Sequence, residues 1–167
     1  MTQIQPFEFA VREHGPRVLR VCRSLLGPGP DADDAWSETF LAALRAWPEM
    51  AQVVSMEGWL VRVAQRTCID AIRARERRPV PTAYLPEQPS ATPADGEIWR
   101  AVARLPEQQR LAVAYHYYGG LPHTETADLI GSTPAAVRRA ASDGIASLRR
   151  SVGRLDPSDP SDPTERT

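Results

Sequence analysis

Apolar residues recur at helical spacing through the first half of the chain. Phe7, Val11, Val18, Val21, Cys22, Leu25 and Leu26 mark one helix face. Gly27-Pro28-Gly29-Pro30 then ends that helix, because proline lacks the backbone donor and glycine readily leaves helical geometry. Asp31 is placed to cap the next helix, in which Trp36, Phe40, Ala43, Leu44 and Trp47 form one stripe before Pro48 closes it. A third helix is expected from near Ser55. It carries Leu60, Val63, Ala64, Thr67, Cys68, Ala71 and Ile72 on one face, with Arg62, Arg66, Arg73 and Arg75 largely off it. Burying these stripes against one another predicts a three-helix bundle over residues 6–78.

The second half repeats the logic with shorter pieces. Asp95 is positioned to cap a helix through Leu105, and Pro106 suits the first turn of a helix running to Tyr118. Gly119-Gly120 stops that helix, and Pro122 opens a short one ending at Gly131. Thr133-Pro134 is a cap followed by a first-turn proline, and the helix it starts turns Val137, Ala141, Ile145 and Leu148 inward. No segment shows the alternation of a strand. The expected fold is all-α: a three-helix unit and a four-helix unit (96–155) joined by a proline-rich linker. That linker, 79–95, holds prolines at 79, 81, 86, 89 and 93, and proline disfavours helix in the residue before it. The tail 156–167 repeats Asp-Pro-Ser with nothing to bury, so disorder is expected there.

Charge mapping changes the picture more than total charge does. The net charge is −1, but all 20 basic residues are arginine, the planar fork suited to phosphate. Residues 60–78 hold six arginines against Asp70 and Glu76, whereas the linker and the tail are acidic. Basic segments beside acidic connectors suit contact with nucleic acid. Cys22 and Cys68 form no CxxC or Cys/His cluster and read as small buried hydrophobes. His14, His116 and His123 fall in separate segments, with surface or packing roles expected. No metal ligand set, cofactor site or nucleophile–base constellation is expected, which argues against an enzyme. No run of about 18 apolar residues predicts membrane insertion. The N-terminus MTQIQPFEFAVREHG lacks a secretory layout, so a cytoplasmic location is expected.

The most specific motif is HTETADLIGSTPAAV, residues 123–137. Two short helices meeting steeply need a small residue at the contact (Ala127) and a turn residue tolerant of positive φ four positions later (Gly131). An apolar residue six further on, Val137, locks the second helix onto the first. That spacing is the helix-turn-helix pattern, and the second helix, from Thr133, Pro134 and Ala135, would address the major groove. Arg138 and Arg139 on its solvent face are candidate DNA contacts.

Around this motif, LPEQQRLAVAYHYYGGLPHTETADLIGSTPAAVRR (105–139) resembles region four of extracytoplasmic-function sigma factors of the sigma-70 family. DADDAWSETFLAALRAW (31–47) resembles the region-two helix of that family that docks on polymerase, and WLVRVAQRTCIDAIRARERR (59–78) its minus-ten helix. The resemblance implies a polymerase contact through Asp33, Asp34, Ser37, Glu38, Phe40 and Leu41. It implies minus-ten DNA contacts through Trp59, Arg62, Arg66, Arg73 and Arg75. Trp59 is open to two readings, stacking on an unpaired base or packing in the core. Core RNA polymerase and promoter DNA are the implied partners, with an anti-sigma factor as a candidate third. The chain departs from the family at Ser37, where glutamine is usual, and at Arg66, where asparagine is frequent. Ala140 and Asp143 stand where arginine is frequent, and Gly144 weakens its helix by up to about 1 kcal/mol. Three readings follow: a sigma factor, a sigma-derived DNA-binding regulator without autonomous initiation, and a helical protein–protein adaptor.

Overall fold

The computed structural model describes residues 6–78 and 93–153, and among them there are helices and turns but no strand. The first unit comprises α1 (Phe7–Leu26), α2 (Pro30–Ala46), a 3₁₀ turn (Trp47–Gln52) and α3 (Met56–Arg77). The second comprises α4 (Pro93–Ala103), α5 (Glu107–Ala112) running into a π-helical turn (Val113–Tyr118), α6 (His123–Ile130) and α7 (Pro134–Gly153).

Most boundaries fall where the turn chemistry puts them. Gly27 leaves α1 at φ 85°, and Ser55 caps α3 by accepting the Gly58 N–H at 3.1 Å. Asp31 is not a cap: Gly29 takes that place and Pro30 is the first helical residue. Asp31 instead accepts from the guanidinium of Arg75. Pro106 precedes α5 rather than opening it, and α4 begins at Pro93, so Asp95 lies inside its first turn. Most of the expected linker, the last two residues of the expected second unit (154 and 155) and the expected tail 156–167 lie outside the described residues.

The first core gathers Val18, Cys22, Leu26, Phe40, Leu60, Ala64 and Cys68. The two cysteines touch across α1 and α3, and that contact together with burial pushes the Cys68 thiol up, so it stays protonated and unreactive. α1 carries Pro16 within it, and the indole of Trp36 lies over the neighbouring Gly15, donating to its carbonyl at 2.9 Å. Leu44, expected on the α2 stripe, is instead 49 % exposed.

α7 packs on α5 and α6 through Val137, Ala141, Gly144 and Leu148. Gly144 belongs to this contact. A Cβ there would lie 2.8 Å from Val113 Cγ2 and 3.4 Å from Gln109 Cβ. Gly144→Ala should therefore lower stability, since overpacking costs roughly 1–3 kcal/mol and outweighs the gain in helix propensity of about 1 kcal/mol. A thermal melt checks it, and a midpoint at or above the parent's would show that the α5–α7 contact yields.

The two units do not stand apart. Val21 of α1 and Val61 of α3, both fully buried, pack with Tyr115 and Leu121 of the second unit. Val61 lies off the apolar stripe that predicts the bundle, and its burial comes from the other unit.

Candidate nucleic-acid interface

The helix-turn-helix forms as its spacing requires. Ala127 is 1 % exposed where α6 meets α7. Gly131 takes φ 66°, and its N–H returns to the carbonyl of Ala127. Thr133 caps α7, its Oγ1 accepting the Ala136 N–H at 3.2 Å, and Pro134 occupies the first helical position. Val137 turns inward, while Thr133, Pro134, Ala135, Arg138 and Arg139 are all exposed on one continuous face. The free N-terminal turns and the two guanidiniums offer what a major groove and its phosphates accept. Asp143 is exposed one turn further on.

A second feature of this region, a stacked histidine pair, has no counterpart in the spacing pattern of the sequence. The π turn returns the Gly119 N–H to Ala114 O at 2.8 Å, and the chain then reverses through Gly119-Gly120. His116 and His123 are thereby stacked, ring centroids 3.9 Å apart. His116 Nδ1 lies 2.7 Å from Leu121 O. Partial loss of solvent, His116 and the Arg138 cation lower the pKa of His123. The only available signal was the double glycine between the two histidines.

In the first unit the structure divides the expected sites. Asp34, Ser37, Glu38 and Leu41 share the exposed face of α2, with Leu44 and Arg45 beside them, and Asp33 is half-buried. Phe40 does not belong to that face. It is 5 % exposed, its ring 4.8 Å from that of Trp36 and 6.4 Å from that of Phe7. On α3, Arg66 and Arg73 are exposed, whereas Arg75 is paired with Asp31 and Arg62 with Glu125 of α6 at 3.4 Å. Trp59 is half-buried against the first core. A groove of about 520 Å³ runs between α2 and α3, bringing Asp34, Glu38 and Arg45 opposite Arg66, Asp70 and Arg78. Among the described residues no cluster of His, Cys, Asp or Glu could hold a metal, and no helix is long and apolar enough to cross a membrane.

An exposed helix-turn-helix behind a three-helix bundle with an arginine-rich helix defines a two-unit DNA-binding protein. Residues 10–78 match the Sigma-70 region 2 family and residues 95–148 the Sigma-70, region 4 family. The ECF RNA polymerase sigma factor ShbA of Streptomyces griseus is 31% identical over 154 residues, covering 80% of this chain and 81% of that one. SigG of Mycobacterium tuberculosis is 40% identical over 81 residues, 48% of this chain, and that match spans only 21% of SigG. The fold is similar to that of the sigma factor RpoE, solved with the anti-sigma factor NepR from Bartonella quintana. The TM-score is 0.67 at 15% identity, covering 90% of this chain and 98% of that one. The chain belongs to the sigma-70 family, within its extracytoplasmic-function group of RNA polymerase sigma factors.

Proposed function

We propose that this chain binds core RNA polymerase through the exposed face of α2 and directs it to promoters. In this reading α3 addresses the minus-ten element and α7 the upstream element. One observation carries it: a single chain holds, in family order, the region 2 bundle with an acidic and apolar α2 face and the region 4 helix-turn-helix with a free recognition face. The role is recruitment without catalysis or a cofactor, performed in the cytoplasm beside the polymerase. Residues 6–78 serve polymerase and the minus-ten element, 79–95 connect, 96–155 read upstream DNA, and 156–167 are an acidic tail. An anti-sigma factor is the regulatory partner suggested by the RpoE complex with NepR.

On α2, Asp34, Ser37, Glu38 and Leu41 present charge around an apolar centre, the composition of an interface that a basic partner surface completes. Leu41→Asp combined with Glu38→Arg should weaken binding to core polymerase at least tenfold, about 1.4 kcal/mol, while leaving the melting midpoint in place. The decisive measurement is run-off transcription with purified chain and core enzyme on genomic templates. Discrete start sites are expected, and failure of the parent chain to bind core overturns the proposal. Binding without discrete starts favours the sigma-derived regulator, a reading that the exposed Asp143 on the recognition helix supports.

A further inference from the structure

The reversal through Gly119-Gly120 lays one imidazole on another beside the recognition helix. His116 lies in the π turn and His123 opens α6, both half-buried, their ring planes 23° apart at the 3.9 Å separation. A carbonyl oxygen only accepts, so His116 Nδ1, 2.7 Å from Leu121 O, carries a hydrogen and donates. That bond fixes the ring on which His123 stacks. Two imidazolium rings so close would repel, so the pair takes a first proton more readily than a second.

The charges around the pair come from several elements. Partial loss of solvent, then His116 of the π turn and Arg138 of α7, hold His123 below the ordinary histidine value of 6.5. On α6 itself, the Glu125 carboxylate is engaged by Arg62 of α3 at 3.4 Å. Arg17 of α1 lies against Gly120, between the two histidines, and is engaged by Glu57 at 2.8 Å. The Tyr117 ring stands edge-on to His116 at 5.2 Å. With Arg138 as its neighbour, a proton on His123 calls for an anion, and DNA brings one.

Arg138 is also an expected DNA contact. In a helix-turn-helix the first helix crosses the phosphate backbone while the second enters the groove. The start of α6, beside the second turn of α7, is therefore on the side that meets phosphate. A phosphate held by Arg138 offsets the charge that opposes a proton on His123 and sets a negative charge near the ring.

We propose that the stacked His116–His123 pair makes upstream DNA binding proton-linked: phosphate seated on Arg138 draws a proton from solvent onto His123, so acidification strengthens promoter contact through α7. The proposal rests on the DNA-binding reading of α7 and adds His123 to its contacts, with His116 as the residue that positions it. The sign follows from linkage. The complex holds the proton more tightly than the free protein, so affinity grows as pH falls through the bound value and levels off below the free one.

The test compares core-bound parent and core-bound His123→Gln on promoter DNA across a pH series at fixed ionic strength. Taking the difference between them cancels titration elsewhere in the complex. Uptake of one proton changes affinity by at most about tenfold per pH unit. Between about pH 8 and about pH 6 the parent should gain at least about threefold more affinity than the variant. His116→Asn keeps a donor for the Leu121 carbonyl but removes the ring that opposes the proton, so the onset of the gain should move to higher pH. Unchanged far-ultraviolet circular dichroism confirms that both variants are folded. Parallel profiles for parent and His123→Gln, whether or not the variant binds more weakly throughout, overturn the proposal and leave the sigma reading standing. A parent that gives no promoter binding with core at any pH overturns the sigma reading and this proposal with it.

Discussion

Replacing Arg138 and Arg139 together by alanine is expected to weaken upstream promoter binding on the order of 10²-fold. Both guanidiniums are exposed on the face that starts at Thr133, at the first two positions after the opening turn of α7. Hydrogen bonds to charged groups contribute roughly 1.5–3 kcal/mol each, and exposed pairs fall at the low end, which gives about 3 kcal/mol for two. If both arginines hold phosphates, the slope of log affinity against log salt should fall by about 1.8, at about 0.9 per contact. If one reads a base edge, the loss should concentrate at one promoter position and the slope should change by about half as much. Binding isotherms of the core-bound protein at several salt concentrations separate these outcomes. The helix-turn-helix should stay folded, because Val137 and Ala141 hold α7 in place and are untouched. An unchanged affinity and slope would remove α7 from the DNA interface. The face carries few other cations, since Ala140 and Asp143 occupy the following turn, so little could compensate for the loss.

The helix-turn-helix was legible in the sequence because every requirement is local. Ala127, Gly131, Thr133 and Val137 each meet a steric or capping demand within ten residues, and the structure satisfies all four. The three-helix bundle was legible for the same reason, through stripes that one neighbouring surface buries. Long-range relations escaped. Val61 is flanked at helical spacing along α3 by Glu57 and Gln65, and only the second unit explains its burial. Arg62 and Arg75 read as free cations until Glu125 and Asp31, far away in sequence, are brought to them. Gly144 read as a flaw because helix propensity is an intrachain quantity, whereas its reason is Val113 on another helix. The stacked histidines depend on a reversal that no periodicity describes.

Phe40 shows how a residue matched by resemblance takes its role from the packing around it. It aligns with the polymerase-contacting set, yet its side chain lies in the first core, among Trp36 and Phe7, which in turn packs edge-on against Trp47 at 5.2 Å. Phe40→Ala removes a buried ring from this aromatic group and should cost about 3–5 kcal/mol. Stability of native proteins is only about 5–15 kcal/mol, so the loss is a large fraction of the whole. For a chain of this length about 1 kcal/mol moves the midpoint by about 2–4 °C, which puts the expected drop at roughly 6–20 °C. The Cys22–Cys68 contact and the seam at Val21 lie on the same α1–α3 scaffold, so loosening the bundle should loosen the second unit as well. Core binding by Phe40→Ala should therefore fail with unfolding and recover on cooling. Leu41→Asp, one residue along on the exposed face, should lose binding with its melt intact. Phe40→Leu, which keeps most of the buried volume, should restore both stability and binding. A Phe40→Ala protein that melts like the parent but no longer binds core would return Phe40 to the docking face and shift the polymerase contact toward the α1–α2 side of the bundle.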